Sequence, residues 1–274
     1  MIKKILASIL LISMLVIFIQ CPTADIESPP AEYFPSEPEA LAVNDRSNDG
    51  IYKGVITGKD RTAGKEITGS FKMVANNDIP NRASSNSIYV ILNFNGETAT
   101  IDGSSSWDGY CYNYGFINDK YNFKIPILKT GTVDTYNVSL IVKGYENKDV
   151  FFYFNISKET SDKLIKAYEG NFNGSGSYSL DSGGTINYTI KGVWNTIIEE
   201  TSTEGAYFGG CYISDSFFQN INAEFDGQDT GNNNWNISLN DGRGTATGKV
   251  YERYASGTWT VGSDKGTWYG KRKF

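Results

Sequence analysis

Residues 87–96 read Ser-Ile-Tyr-Val-Ile-Leu-Asn-Phe-Asn-Gly, the most apolar run of the chain after its N-terminal segment. The closing Asn-Gly dipeptide is the strongest two-residue signal for a tight β-hairpin, because a type I′ turn needs positive φ at both positions. Such a turn would set three pairs of residues opposite one another: Phe94 and Glu97, Leu92 and Ala99, Val90 and Ile101. The apolar partners then share one face, as in a half-buried antiparallel hairpin.

The rest of the chain has the same character. It contains 18 Tyr and 15 Phe, and 29 Gly residues interrupt its short β-prone runs. Aromatic side chains favour strands, and glycine favours the turns between them. Many short strands with regular turns predict a mostly β protein that folds as an antiparallel β-sandwich or barrel.

The sequence falls into two stretches of similar length and style, residues 50–166 and residues 167–274. Each opens with a Tyr-x-Gly motif, at Tyr52 and at Tyr168. We therefore expect two tandem β modules of similar design, and one larger sandwich is the alternative. Residues 157–167 begin with a serine that can cap a helix and carry a partial apolar stripe, which predicts one short connecting helix.

The last hairpin of the chain is marked by a repeat, since Gly-Thr-Trp occurs at residues 257–259 and again at residues 266–268. A loop formed by residues 262–265 would place Trp259 directly opposite Trp268 and Gly257 opposite Gly270. The two indoles would then form an aromatic cross-strand pair on one face of the hairpin.

The first 21 residues have the pattern of a secretory signal. Met-Ile-Lys-Lys provides a positive start, and residues 5–19 form an apolar run without charge. This run is shorter than the ~20 residues that span a bilayer as a helix. The pattern predicts export; an uncleaved N-terminal anchor, or a signal that is cut elsewhere, is the alternative.

The end of this segment, Phe18-Ile19-Gln20-Cys21, resembles the lipobox of a bacterial lipoprotein in the loose form that spirochaetes use. The resemblance covers this segment alone. It implies that residues 1–20 are a signal peptide and that Cys21 becomes the acylated first residue of the mature chain. It also implies a protein outside the cytoplasm that is anchored by lipid to a bacterial membrane, at the outer membrane or the cell surface.

Residues 21–49 then form an acidic, proline-rich tether. They hold five prolines, and seven carboxylates against the single Arg46. Such a segment cannot bury enough apolar surface to offset the entropy of ordering it. The net charge of the whole chain is −6 and belongs mostly to this tether, so the body is close to neutral. Without a basic face, the body is not expected to bind nucleic acid.

Three cysteines occur, of which Cys111 and Cys211 remain if Cys21 is acylated. In an oxidising compartment, an even pair is interpreted first as a disulfide. Two unpaired cysteines buried in strands are the alternative.

The chain has no histidine, which excludes Ser-His-Asp and Cys-His catalysis and every metal site that uses imidazole. Glycoside hydrolysis needs only two carboxylates at a fixed separation. The candidates for that role share one acidic stretch: Glu199, Glu200, Glu204 and Asp215. Acidic loops are common, however, and we predict a protein without catalytic residues, metal or cofactor.

The densest aromatic patch lies at residues 107–116. Tyr110, Tyr112 and Tyr114 alternate along the chain, which places them on one face of a strand, and Trp107 precedes them. These side chains are candidates for stacking on a sugar ring or on an aromatic partner. A core face formed by the same residues is the alternative.

These features together predict an exported, lipid-anchored protein of the cell envelope that binds an envelope or host ligand or has a structural role. A lipocalin-like barrel that holds an apolar small molecule is the second hypothesis. A carbohydrate-active enzyme is the third.

Overall fold

The computed structural model of the chain describes residues 34–77, 88–146, 148–201, 205–215, 220–229, 234–239 and 244–274. These residues form sixteen β-strands and two short 3-10 turns, at Ala42–Asn44 and Thr135–Asn137. The predicted mostly β fold is therefore confirmed. Phe34–Phe274 form one compact unit. None of the helical turns described is long and apolar enough to cross a membrane.

The first eight strands form an open antiparallel sheet in the order β7-β6-β5-β4-β3-β2-β1-β8. The strands are β1 Gly50–Asp60, β2 Lys65–Ala75, β3 Ile88–Phe94, β4 Glu97–Trp107, β5 Tyr112–Ile117, β6 Tyr121–Ile127, β7 Ser139–Val142 and β8 Val150–Glu159. One face of this open sheet carries a large apolar core that includes Tyr52, Phe71 and Phe123.

The last eight strands form a closed antiparallel barrel in the order β10-β11-β12-β13-β14-β15-β16-β9. The strands are β9 Lys163–Ser179, β10 Thr185–Thr201, β11 Gly205–Asp215, β12 Asn220–Asp229, β13 Asn234–Leu239, β14 Gly244–Val250, β15 Tyr254–Val261 and β16 Asp264–Arg272. Pairing of β16 with β9 closes the circle.

The hairpin predicted at Asn95-Gly96 is confirmed. Asn95 has φ 50° and Gly96 has φ 84°, the positive values that a type I′ turn requires. All three predicted pairs form: Phe94 with Glu97, Leu92 with Ala99, and Val90 with Ile101.

The connecting helix predicted at residues 157–167 is wrong. Strand β8 continues to Glu159, a tight turn follows between Thr160 and Lys163, and β9 begins at Lys163. Ile165 packs between the open sheet and the barrel, whereas Tyr168 belongs to the barrel interior. The apolar residues that suggested a helical stripe therefore lie on both faces of a strand, and each face is covered.

The register predicted for the C-terminal hairpin is also wrong. Val261 pairs with Asp264, so the turn has two residues fewer than expected. Trp259 therefore lies opposite Gly266, and Trp268 lies opposite Gly257. Each indole occupies the space that the facing glycine leaves free. Two indoles directly opposite each other would compete for that space.

Large apolar side chains fill the interior of the barrel along the described strands. The buried members of this core are Tyr168, Ile190, Trp194, Ile198, Trp235, Ala246, Ala255, Trp259 and Trp268. An eight-stranded barrel is just wide enough for side chains to fill it.

The barrel and the open sheet are joined by an interface with an apolar centre and a polar margin. Val55 of the sheet packs with Ile165 and Ile197 of the barrel. Beside them, Asn195 Nδ2 donates hydrogen bonds to the Ile56 carbonyl at 2.7 Å and to Thr57 Oγ1 at 2.9 Å. These bonds fix the outward face of β10 to β1 of the open sheet.

Residues 34–49, the second half of the predicted tether, pack against both parts of the body. Arg272 Nη2 of the barrel donates a hydrogen bond to the Pro35 carbonyl at 2.7 Å. Glu39 forms ion pairs with Lys53 and Lys72 of the sheet. The signal segment, Cys21 and the first half of the tether lie outside the described residues.

Candidate functional site

The turn between β4 and β5, residues 107–112, is here called the aromatic turn. Asp108 organises it: Oδ1 accepts hydrogen bonds from the backbone N–H groups of Cys111 and Tyr110, both at 2.9 Å. Oδ2 accepts a third from Asn113 Nδ2 at 2.7 Å. These hydrogen bonds hold the pKa of the Asp108 carboxyl well below its usual range, and the bond from the Cys111 N–H has the largest effect. Asp108 is therefore an ionised structural anchor at neutral pH.

Two of the predicted aromatic side chains reach solvent on this turn. Tyr110 is 67% exposed and Trp107 is 42% exposed. The Trp107 ring lies 4.8 Å from the ring of Tyr112, measured between centroids, at an interplanar angle of 49°. Lys129 Nζ lies 4.7 Å from the centroid of the Trp107 ring. Trp107 is thus held in place by two neighbours, while Tyr110 projects from the turn.

The other two predicted residues belong to the body of the open sheet. Tyr114 is fully buried, and its hydroxyl donates to the Asn48 carbonyl at 3.2 Å. Burial raises the pKa of the Tyr114 phenol. Tyr112 packs against the edge of the same core. Tyr112 and Tyr114 lie in β5 on its core face, whereas Tyr110, predicted to share that face, lies in the turn before the strand.

The aromatic turn presents flat apolar rings beside amide and ammonium groups. Exposed rings of this kind stack on the C–H face of a sugar or on another aromatic ring, and they attract cations. Both carboxylate oxygens of Asp108 accept hydrogen bonds within the turn, so this carboxylate holds the turn together while the rings provide the contact surface.

Of the three cysteines, only Cys111 has a described side chain, and it forms no disulfide. Cys111 is a free, buried thiol in the aromatic turn, and its Sγ lies 3.5 Å from Asp108 Oδ2. Burial, with the Asp108 carboxylate beside it, raises the pKa of this thiol. Cys211 lies in β11 of the barrel, and its side chain is outside the description. The predicted disulfide is therefore wrong, and Cys111 is an unpaired cysteine.

The candidate catalytic carboxylates are engaged in ion pairs where the structure describes them. Glu199 Oε2 lies 3.1 Å from Lys163 Nζ, and Glu200 Oε2 lies 2.6 Å from Lys166 Nζ. Glu204 lies outside the described residues, and the side chain of Asp215 is not described either. The two described carboxylates stabilise the pairing of β9 and β10.

One polar pair was missed by the sequence analysis. Lys53 Nζ lies 2.6 Å from Glu159 Oε2, and both side chains are fully buried. Lys53 also donates to the Ile165 carbonyl at 3.0 Å, so the pair ties β1 and β8 to the barrel. Burial lowers the pKa of Lys53, and Glu159 opposes that effect. The available signal was a lysine within the otherwise uncharged, largely apolar residues 51–56.

A second missed feature is a set of exposed tyrosines on the outside of the barrel. Tyr254 and Tyr269 stack with ring centroids 6.2 Å apart and an interplanar angle of 26°. Tyr251 extends the stack, with its centroid 4.6 Å from that of Tyr254. The sequence did not reveal this grouping, because the contact between Tyr254 and Tyr269 depends on the register of β15 with β16.

No cluster of three or more metal-binding side chains occurs among the residues that the structure describes. Neither a protein-family model, nor a curated protein, nor a solved structure matches this chain.

Proposed function

We propose that this chain is an exported, lipid-anchored protein of a bacterial cell envelope that acts by binding a ligand. The observation that carries the proposal is the N-terminal arrangement of two lysines, an uncharged apolar run and Cys21. Acylation of Cys21 would hold the chain at a membrane, since several acyl chains together give stable anchoring.

The packing of the first described residues is compatible with a short connection between Cys21 and the folded body. Phe34 lies against the Arg272 guanidinium, with 5.2 Å between its ring centroid and Cζ. The chain therefore contacts the barrel at Phe34, thirteen residues after Cys21. A fully extended chain of that length spans at most ~45 Å, which would keep the barrel within that distance of the anchored cysteine.

The aromatic turn supports binding as the activity. Tyr110 and Trp107 are exposed on a turn that Asp108 holds rigid, so stacking on a ligand costs little ordering entropy. We propose that the turn contacts a sugar ring or an aromatic side chain of an envelope or host ligand.

The same evidence ranks the other two functions lower. A lipocalin-like barrel would need an open interior, whereas buried indoles occupy the described part of this one. A glycoside hydrolase would need two free carboxylates, whereas Glu199 and Glu200 each bind a lysine. Binding at an outer surface is therefore the better supported proposal.

The intact mass of the protein extracted from membranes tests the lipid anchor. We expect a chain that starts at Cys21 and carries the additional mass of acyl groups. A Cys21→Ser variant should lose the acyl mass and leave the membrane fraction. An unmodified N-terminus that begins at Met1 would refute lipidation and favour the uncleaved anchor.

Binding through the aromatic turn has a separate test. The variants Tyr110→Ala and Trp107→Ala should reduce retention of the protein on its envelope or host material, and Tyr110→Phe should restore it. Tyr136→Ala is the matched control, because Tyr136 is 99% exposed but lies in a different loop. Equal retention of all four variants would exclude the aromatic turn as the contact.

A further inference from the structure

The outward positions of β13–β16 and β9 form rows of polar side chains across the barrel wall. Strand pairing aligns the central row: Asn236, Thr247, Thr258, Thr267 and Asn173. It also aligns the flanking rows: Ser238, Thr245, Thr260, Lys265 and Ser175 on one side, and Asn234, Lys249, Ser256, Tyr269 and Asn171 on the other. With Tyr254 and Lys271 beside them, these rows are here called the lysine–tyrosine face.

Hydroxyl and amide groups are regularly spaced on this face. Neighbouring strands lie about 4.8 Å apart and successive rows about 6.7 Å apart, as in any antiparallel sheet. Thr247 Oγ1 and Thr258 Oγ1 are 3.4 Å apart, and Thr267 Oγ1 donates to Asn173 Oδ1 at 3.2 Å. The side chains thus form an array of donors and acceptors that faces solvent.

The charge of the lysine–tyrosine face is opposite to that of the chain. Lys249, Lys265 and Lys271 are exposed, and none of them forms an ion pair with a described residue. No carboxylate occupies a described position in the three rows, although the net charge of the chain is −6. Beside the rows, Asp264 accepts a hydrogen bond from Tyr188 at 2.7 Å, and Glu169, the strand partner of Lys271, is hydrogen-bonded to Ser70 of the open sheet. Glu252 is exposed in the turn between β14 and β15, outside the three rows.

The tyrosine stack adds an aromatic platform at one edge of the face. Tyr254 is 40% exposed and Tyr269 is 48% exposed, and their rings are close to parallel. Lys271 pairs with Tyr254, and Tyr269 with Ser256, so the platform lies directly beside both a cationic and a hydroxyl group.

We propose that the lysine–tyrosine face binds an acidic polysaccharide whose sugar rings carry carboxylates. The three lysines complement the carboxylates, the Thr, Ser and Asn side chains complement the sugar hydroxyls, and the stacked tyrosines accept a sugar ring face. An anionic lipid surface would attract the lysines, but it would leave most of this wide array of hydroxyl groups without hydrogen-bond partners. This surface is distinct from the aromatic turn, and its test does not depend on the state of Cys21.

Binding of the full chain to immobilised polygalacturonate, a polymer of uronic acid, tests the proposal. We expect binding that weakens as salt is raised, because exposed charges are screened. The variant Lys249→Gln/Lys265→Gln/Lys271→Gln should lower the affinity on the order of tenfold, since three exposed ion pairs are lost. Tyr254→Ala/Tyr269→Ala should lower it as well, and Tyr254→Phe/Tyr269→Phe should preserve it.

The matched control is Lys65→Gln/Lys124→Gln/Lys143→Gln, which removes the same charge from exposed positions of the open sheet or its loops. It should leave the affinity within about twofold of the unchanged protein. Equal weakening by both triple variants would overturn the proposal, because the effect would then follow net charge. No binding to polygalacturonate, with lysine-dependent binding to phosphatidylglycerol vesicles beyond that to phosphatidylcholine vesicles, would overturn it in favour of a membrane surface. All variants are compared by their unfolding transitions, so that a misfolded variant is replaced by its single-lysine counterparts.

Discussion

Trp268 covers Gly257, its partner on the adjacent strand of the C-terminal hairpin. A Cβ atom added to Gly257 would lie only 2.7 Å from Trp268 Cε2. The same arrangement recurs where Trp259 covers Gly266, again with 2.7 Å between an added Cβ and Cε2. The barrel core is therefore built by large residues that lie over glycines of neighbouring strands, which keeps the interior dense without clashes.

This arrangement predicts that replacing a covered glycine by a larger residue destabilises the protein. Gly257→Ala should lower the free energy of unfolding by about 1–3 kcal/mol, because the new methyl group meets both the indole and the neighbouring backbone. Urea unfolding followed by circular dichroism measures the change. Gly115→Ala is the control, since Gly115 is also a strand glycine but has no atom within 4 Å of an added Cβ. A loss as large for Gly115→Ala as for Gly257→Ala would contradict the packing argument.

The buried ion pair predicts strong coupling between Lys53 and Glu159. Lys53→Met should destabilise the protein by about 3–5 kcal/mol, because it leaves the Glu159 carboxylate buried without its cation. The double variant Lys53→Met/Glu159→Leu should recover most of that loss, since neither charge remains. A double-mutant cycle from urea unfolding gives the coupling energy.

An exposed pair provides the comparison for this cycle. Lys120 and Glu97 also form an ion pair, but their side chains are 44% and 66% exposed. Lys120→Met should change the free energy of unfolding by less than about 1 kcal/mol. Equal costs at the two sites would show that burial does not determine the effect.

Buried tyrosines predict a loss of stability at alkaline pH. Burial raises the pKa of Tyr52, Tyr114 and Tyr168 above the ordinary value of 10.0. The folded protein therefore keeps protons that the unfolded chain releases above that pH. The contribution of these groups to stability is complete below pH 10.0 and decreases as the pH rises further, by about 1.4 kcal/mol per pH unit for each tyrosine.

Urea unfolding between about pH 9 and pH 11 measures this slope. Tyr168→Phe should make the slope shallower, because phenylalanine cannot ionise in the unfolded chain. Tyr136→Phe, the same substitution at an almost wholly exposed position, is the matched control. Parallel slopes for the unchanged protein and Tyr168→Phe would argue against the raised pKa.

The free thiol in the aromatic turn predicts slow alkylation of Cys111 in the folded protein. Burial and the neighbouring Asp108 raise the thiol pKa, so little thiolate is present at neutral pH. Asp108→Ala should accelerate labelling by iodoacetamide, because it opens the turn and removes the neighbouring charge. Asp119→Ala, in an exposed turn of the same sheet, should not. A gain of two hydrogens on reduction, with a cross-linked Cys111–Cys211 peptide, would contradict the free thiol.

The sequence predicted local features best where a single turn sets the register. Asn95 and Gly96 specify a type I′ turn by their own backbone preferences, so the pairs of β3 and β4 followed directly. The glycine-rich turn after Val261 allows more than one loop length, and only the fit of Trp259 over Gly266 selects between them. Residues 157–167 failed as a helix because a strand covered on both faces has no alternation to reveal it.

The candidate sites divide in the same way. The sequence located the aromatic turn, because its tryptophan and tyrosines are close together in the chain. It could not separate the exposed Tyr110 from the buried Tyr114, since exposure depends on the core beneath β5. The stacking of Tyr254 on Tyr269 depends on the register of β15 with β16, and the Lys53–Glu159 pair joins residues 106 positions apart. No local sequence pattern marks either contact.

By itself, the sequence determined a mostly β chain, the Asn95-Gly96 hairpin and the export-like N-terminal segment, because each follows from side-chain and backbone preferences within a few residues. The tertiary structure alone decided that one half closes into a barrel and the other remains open. It also decided that the chain packs from Phe34 onward and that three lysines share a face whose described row positions hold no carboxylate. These outcomes depend on which strands pair across long separations, and the packing of large side chains over glycines selects that pairing only when the whole barrel is assembled.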